Sequence, residues 1–213
     1  MTEPFLIIQY PYDHIEIALC SQTKIVEQIR IHKFEAIKLL IPTISTLLAH
    51  QKLKIQDLVC IGINRGPGPY NTLRSIIATI NGFHFTHKTK FVECEALPLL
   101  LTPCTEPTIA LLNAFSKRIY YGIKVNDKVT QGICPIADLP KILKEQGLID
   151  TKLNCIGNGA VVYKNEIMEL SPNLQIADEF PLFNNLQTLF EETHKQIKQK
   201  NMVTHYTSPL YFN

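Results

Sequence analysis

No apolar run in this 213-residue chain approaches the roughly 20 residues that a membrane-spanning helix needs, and the opening Met1, Thr2, Glu3, Pro4 lacks the basic region of a signal peptide. A soluble, cytoplasmic protein with no membrane partner is expected. The formal net charge is only +2, too small for a strong field toward nucleic acid, so any RNA contact must be local. The six cysteines (Cys20, Cys60, Cys94, Cys104, Cys134, Cys155) include no C-x-x-C pair, and Cys20, Cys60 and Cys155 sit inside apolar runs. Buried reduced thiols are the expectation, rather than a disulfide framework or a metal site. The phosphate-loop G-K-[ST] and the dinucleotide G-x-G-x-x-G are missing, as are the hydrolase signatures G-x-S-x-G and H-E-x-x-H. Low-complexity segments and repeats visible at sequence level are lacking too.

What is present reads as an α/β protein. With 46% hydrophobic residues the chain can build a sizeable core, and its length fits one large domain or two compact halves. Residues 4–10 form a buried apolar run, 14–20 alternate Ile15, Ile17 and Leu19 with polar neighbours, and 24–31 alternate again: three short strands with an antiparallel start. From about 33 to 50, Phe34, Ile37, Leu40, Ile41, Ile44, Leu47 and Leu48 recur at helical spacing, with Pro42 expected to kink or break that helix. A strand over 58–63, a loop over 64–71 and a helix over about 72–86 follow. In the second half, strands are predicted over 108–113, 119–125, 128–134 and 153–157, and helices over 137–146, 161–170 and about 183–200. The recurrence implies a duplicated α/β unit, with lobes 1–103 and 104–213 meeting near Pro103 to Pro107.

The most informative stretch is 62–82, GINRGPGPYNTLRSIIATING. A strand ends at Ile63, two glycines and two prolines set a rigid turn, and Asn71 stands where its side chain can cap the next helix. Strand, turn and helix N-terminus could cradle an anion, but a tight strand-to-helix connection is the simpler reading. That helix has two unlike faces. Leu73, Ile76, Ile77, Ile80 and Phe83 form an apolar stripe, whereas Ser75, Ala78, Thr79 and Gly82 are small residues that let another helix approach closely. A neighbour within the lobe or a partner protein could pack there, and from the sequence alone the internal neighbour is the simpler reading. His84 and His87 lie three apart near its end without a third ligand nearby. Lys195, Lys198, Lys200 and His194 give the last helix a basic end, ordinarily a solvated one.

The order of strand, R-G-P-G-x-[FY]-x-x-L-R and small-residue helix resembles the TsaB (YeaZ) family, whose members typically show G-R-G-P-G-S-F-T-G-L-R-I-G. Arg65, Gly66, Pro67, Gly68, Tyr70, Leu73 and Arg74 match, while Pro69, Asn71 and Thr72 replace the usual Ser, Thr and Gly. The resemblance continues through Glu95, Ala96 and Leu97, Tyr120, the turn Gly157, Asn158, Gly159, Ala160, and the closing Ser208, Pro209, Leu210, Tyr211.

That resemblance implies a two-lobed actin/Hsp70/sugar-kinase fold and a non-catalytic role. It implies dimerisation with the larger paralogue TsaD, in a complex with the ATPase TsaE. The complex transfers a threonylcarbamoyl group to the adenosine beside the anticodon of tRNAs reading codons that begin with A, so tRNA is an indirect partner. TsaD holds the metal and performs the transfer. The partner surface would comprise Ile37, Leu40, Ile44, Tyr70, Asn71, Arg74, Ser75, Ala78, Thr79 and Gly82 in the N-terminal lobe. Gly66, Gly68, Gly157 and Gly159 would be vestiges of a nucleotide site.

Departures from active relatives point the same way. The TsaD histidine pair aligns with Glu93 and Leu97, the aspartate that usually ends the first strand is Gln9, and the D-A-R of the second lobe is Asn113, Ala114, Phe115. Leucine cannot ligate a metal, and a neutral amide cannot replace a carboxylate toward magnesium. No catalytic residue, metal or cofactor is expected, with weak ATP or ADP binding at a subunit boundary left open. Two other readings stand beside the scaffold: a small ATPase or peptidase of the same fold, and a self-associating protein, homodimeric when alone.

Overall fold

The structure, a computed structural model, describes residues 3–126, 128–176 and 181–212; Met1 and Thr2, at the start read above for a leader, lie outside them. In chain order the elements are β1 (Phe5–Gln9), β2 (His14–Cys20), β3 (Ile25–His32), α1 (Ala36–His50), β4 (Ile61–Asn64), α2 (Tyr70–His87) and β5 (Phe91–Cys94). Then come α3 (Ala96–Leu101), β6 (Thr108–Asn113), β7 (Arg118–Val125), β8 (Lys128–Pro135), α4 (Leu139–Glu145), β9 (Leu153–Ile156), α5 (Asn158–Val162), α6 (Lys164–Leu170), β10 (Leu174–Gln175) and α7 (Leu186–Lys198).

Two five-stranded sheets share one plan. The first runs β3-β2-β1-β4-β5 and the second β10-β9-β6-β7-β8. In each, three strands pair antiparallel and the first of them pairs parallel with the next strand outward. The duplication expected from the order of elements is therefore present as topology. Central β1 is buried along its whole length, the pattern of a strand covered on both faces, while edge strand β3 alternates in exposure.

The chain divides into Met1–Glu95 with Asn185–Leu210, and Ala96–Asn184 with Tyr211–Asn213. This differs from lobes at 1–103 and 104–213. Helix α3 packs on β6 and β7, so it belongs to the second unit. Helix α7 returns to β1, β4 and β5: Phe190 stacks on Phe5 at 5.8 Å, and a Cβ at Gly62 would collide with Thr193. Asn185 caps α7, its Oδ1 accepting the Thr188 N–H at 2.8 Å.

Helix α1 passes through Pro42 without a break. Pro42 and Lys38, the residue whose carbonyl loses its bond, are both exposed, so water can replace the missing N–H. The opposite face buries Ala36, Leu40, Ile44, Leu47 and Leu48 at helical spacing; each large side chain there contributes about 1.5–3 kcal/mol. Helix α2 starts two residues earlier than the spacing suggested, with Pro69 at the cap, so Asn71 lies inside the helix and does not cap it. It ends where Lys88 turns left-handed and its N–H returns to the His84 carbonyl at 2.9 Å. The helix predicted over 161–170 is two helices divided at the buried Tyr163.

All six cysteines are free and all but Cys104 are buried. Among the described residues no helix is long and apolar enough to cross a membrane.

Candidate functional site

The loop between β4 and α2 leaves the carboxyl ends of the parallel strands. Asn64 closes β4 and its Oδ1 accepts the Gly66 N–H at 3.0 Å. Gly66 sits at φ +105°, and a Cβ there would lie 2.8 Å from a Leu73 methyl. Only glycine satisfies both conditions. The Gly66–Pro67 peptide is cis. Arg65 donates from Nη2 to Glu95 Oε1 at 2.6 Å, and its Nε lies 3.9 Å from Glu93 Oε2. From the far end of the chain, the Leu210 N–H donates to the Arg65 carbonyl at 2.9 Å. Thr207 and Asn81 exchange a reciprocal pair of bonds at 2.9 and 3.0 Å. Motif residues scattered from 65 to 210 thus converge on one loop of the first unit.

The two positions that the resemblance aligns with the TsaD histidine pair are both engaged within the fold. Glu93 is paired with Arg65, and Leu97 is fully buried against Gly122 in the second unit. At the end of β1, Gln9 is fully buried and donates its amide to Glu16 Oε2 on the neighbouring strand. The other Glu16 oxygen accepts from Arg30 Nη2 at 2.8 Å and from His14 Nε2 at 3.2 Å. Sequence reading missed this carboxylate. The available hint was Gln9 itself, a polar side chain in an apolar run that needs a buried partner. Glu16 therefore holds a structural network together. Among the described residues no group of three His, Cys, Asp or Glu could hold a metal ion. His84 donates from Nδ1 to the Thr89 carbonyl at 2.8 Å and packs edge-on against Tyr206, a helix-end role.

In the second unit, Gly157 and Gly159 answer to packing. Gly157 has φ +95°, and a Cβ on either glycine would strike the backbone of Leu111. The Gly157 and Asn158 N–H groups donate to the carbonyls of Pro181 and Leu182 at 2.9 and 3.0 Å. Those amides are committed within the fold, and the turn is explained without a nucleotide. Asn113 Oδ1 accepts from the Phe115 N–H at 2.8 Å and the Tyr163 hydroxyl at 3.2 Å, so the replaced aspartate position also serves a turn.

The proposed partner face divides into open and closed parts. Leu40 and Ile44, at 1% and 2% exposure, belong to the core, Ile44 showing only an edge at the floor of a groove. That corrects their placement among contact residues: helical spacing gave their face but not the side on which the sheet lies. Ile37 at 64% and Tyr70 at 53% are exposed, with Ile41 and Phe34 continuing the apolar patch. Arg74 lies over the Tyr70 ring at 4.9 Å and donates to its hydroxyl at 3.2 Å. Asn71 and Ala78 are exposed, Ser75 and Thr79 half-buried, and nothing lies within 4 Å of a Cβ placed on Gly82. The Ser75 and Thr79 hydroxyls donate back to the Asn71 and Ser75 carbonyls at 3.1 and 2.9 Å. Their polar groups are already satisfied, so an approaching surface meets a smooth, narrow ridge. A groove of about 290 Å³ is walled by Ile41, Ile44, Ser45 and Leu48 of α1 and Phe83 of α2.

Burial sets the thiol chemistry. Desolvation pushes Cys60 and Cys155 up to about 12, and drives Cys20 up as well. None is a nucleophile at neutral pH.

Two units with the same strand order, each a mixed sheet with helices, define the two-lobed actin-like class. A Bacteroides thetaiotaomicron protein with actin-like ATPase fold and unknown function superposes with TM-score 0.51 at 9% identity, covering 89% of this chain and 96% of that one. YeaZ from Pseudomonas aeruginosa superposes far better, with TM-score 0.73 at 15% identity over 99% of this chain and all of that one. A second structure, an uncharacterized protein with similarity to peptidase YeaZ from Pseudomonas aeruginosa, gives 0.70 at 15% identity over the full length of both chains. The chain has a YeaZ-like fold. No family model matches it.

Proposed function

We propose that the chain is a non-catalytic scaffold subunit that docks on its larger TsaD paralogue and supports threonylcarbamoyl transfer to the adenosine beside the anticodon. The observation that carries this reading is the open face of α2. Ser75, Ala78, Thr79 and Gly82 form a ridge on which no described residue lies within 4 Å of a Cβ placed at Gly82, and Ile37 and Tyr70 are exposed as well. A helix from another subunit can approach such a ridge closely. The polar groups at the strand ends support the non-catalytic half of the reading. Glu16 is neutralised by Arg30, and Glu93 and Glu95 share Arg65.

The direct test is co-elution of the purified chain with the TsaD paralogue of the same organism. A stoichiometric complex supports docking on the paralogue. A homodimer that ignores the paralogue assigns the same face to self-association, and two separate peaks remove the proposal.

A further inference from the structure

A second feature lies away from α2, on the far side of the first unit's sheet elements. A pocket of about 470 Å³ is lined by Lys90, His194, Lys198, Lys200, Gln22 and Glu3, among others. That volume falls within the roughly 300–1,000 Å³ of small-ligand sites. Lys90 enters from the residue before β5, and Lys198 and Lys200 from the end of α7. Among the described residues none of the three lysines has a carboxylate within ion-pair distance, whereas Lys195 nearby is paired with Glu192 at 3.2 Å. Three lysines against Glu3 leave two net positive charges in the wall.

His194 is held in place by aromatic stacking. Its ring lies 5.8 Å from Phe190 at an interplanar angle of 17°, and Phe190 stacks in turn on fully buried Phe5. The His194 Nε2 is shut off from solvent and has no hydrogen-bond partner. Burial, with Lys198 adding to it, holds the imidazole below its ordinary value, as a cationic pocket without an anion should. Helix-dipole complementation explains lysines in the last turn of α7 but not Lys90, which belongs to no helix end.

We propose that this pocket binds a phosphate group, gripped by the ammonium groups of Lys90, Lys198 and Lys200 beside the His194 ring. Lysines act as point charges and suit a phosphate whose orientation varies, either a phosphomonoester of a small molecule or a phosphodiester of RNA. The site is independent of docking at α2, so either can fail alone.

The test uses the full chain and histidine ring NMR signals. Titration with inorganic pyrophosphate should shift the His194 signals saturably. The triple variant Lys90→Gln, Lys198→Gln, Lys200→Gln should weaken binding by about tenfold or more, with the melting temperature lowered by only a few degrees because all three side chains are exposed. Lys195→Gln should bind within about twofold of the parent, its charge being neutralised by Glu192. A short single-stranded RNA that displaces pyrophosphate identifies a phosphodiester ligand; pyrophosphate bound with no competition by RNA identifies a small phosphate ester. His194 signals that stay still with both, or a Lys195→Gln loss equal to that of the triple variant, overturn the proposal.

Discussion

Arg65 and Glu95, thirty positions apart in sequence, meet at 2.6 Å between Nη2 and Oε1 at the carboxyl end of the first sheet. Both are largely shielded, at 22% and 24% side-chain exposure. A charge-assisted bond in that setting couples the loop before α2 to the end of β5. Replacing either residue by Ala should cost about 1–3 kcal/mol, and a double-mutant cycle in urea should return a coupling of about 1 kcal/mol or more. Additive effects of the two substitutions would mean that the pair does not hold the loop.

Gln9→Ala removes the amide that serves the Glu16 carboxylate. A buried acceptor that loses its donor costs about 1–3 kcal/mol, so the variant should melt at lower temperature. Once folded and joined to the TsaD paralogue, it should support threonylcarbamoyl transfer at the parent rate, because Gln9 is fully buried and its amide serves Glu16. A large loss of transfer in a well-folded variant would give Gln9 a chemical role.

On α2, Ala78→Arg and Gly82→Arg should leave the fold intact and abolish association, since a long charged side chain on the ridge holds a second helix away. Gly82→Arg should even gain a fraction of the roughly 1 kcal/mol that glycine costs in a helix, since a Cβ placed there meets no described atom within 4 Å. Gly82→Ala is the matched control, expected to be more stable than the parent and still competent to associate. Thermal melts and size-exclusion profiles of the three variants check both statements.

The thiols give a pH prediction. Cys20, Cys60 and Cys155 are protonated in the fold with values raised far above the ordinary 9.0, and unfolding restores that ordinary value. The folded state then binds more protons above pH 9, so stability is intact below it and falls as pH rises through it. The slope is up to about 1.4 kcal/mol per pH unit for each thiol. Denaturation in urea at pH 8, 9 and 10 measures it; a flat profile would contradict burial of these groups. In native protein a disulfide exchange reagent should reach Cys104 and spare the other five.

Much of both units was legible because their strands alternate or are wholly apolar: β2 and β6 lie where the patterns over 14–20 and 108–113 put them. Strand β5 and helix α3 went unseen, being short and adjoining, with Pro98 inside the helix, so that neither period could assert itself. The return of α7 to the first sheet depends on Phe190 and Thr193 finding Phe5 and Gly62, a tertiary choice that chain order conceals. The same holds for the site. The R-G-P-G loop and the small ridge of α2 announce themselves locally. Glu16 and the burial of Leu40 and Ile44 become visible only once the sheet has fixed which side of each element is covered.

One reconstitution bears most directly on whether this fold works through its surface: threonylcarbamoyl transfer measured with the TsaD paralogue and TsaE, with and without the chain. Transfer should require the chain, fail with Ala78→Arg, and survive Gln9→Ala, while the chain alone hydrolyses no ATP in the presence of magnesium. Magnesium-dependent ATP hydrolysis by the isolated chain, or full transfer in its absence, would contradict a scaffold.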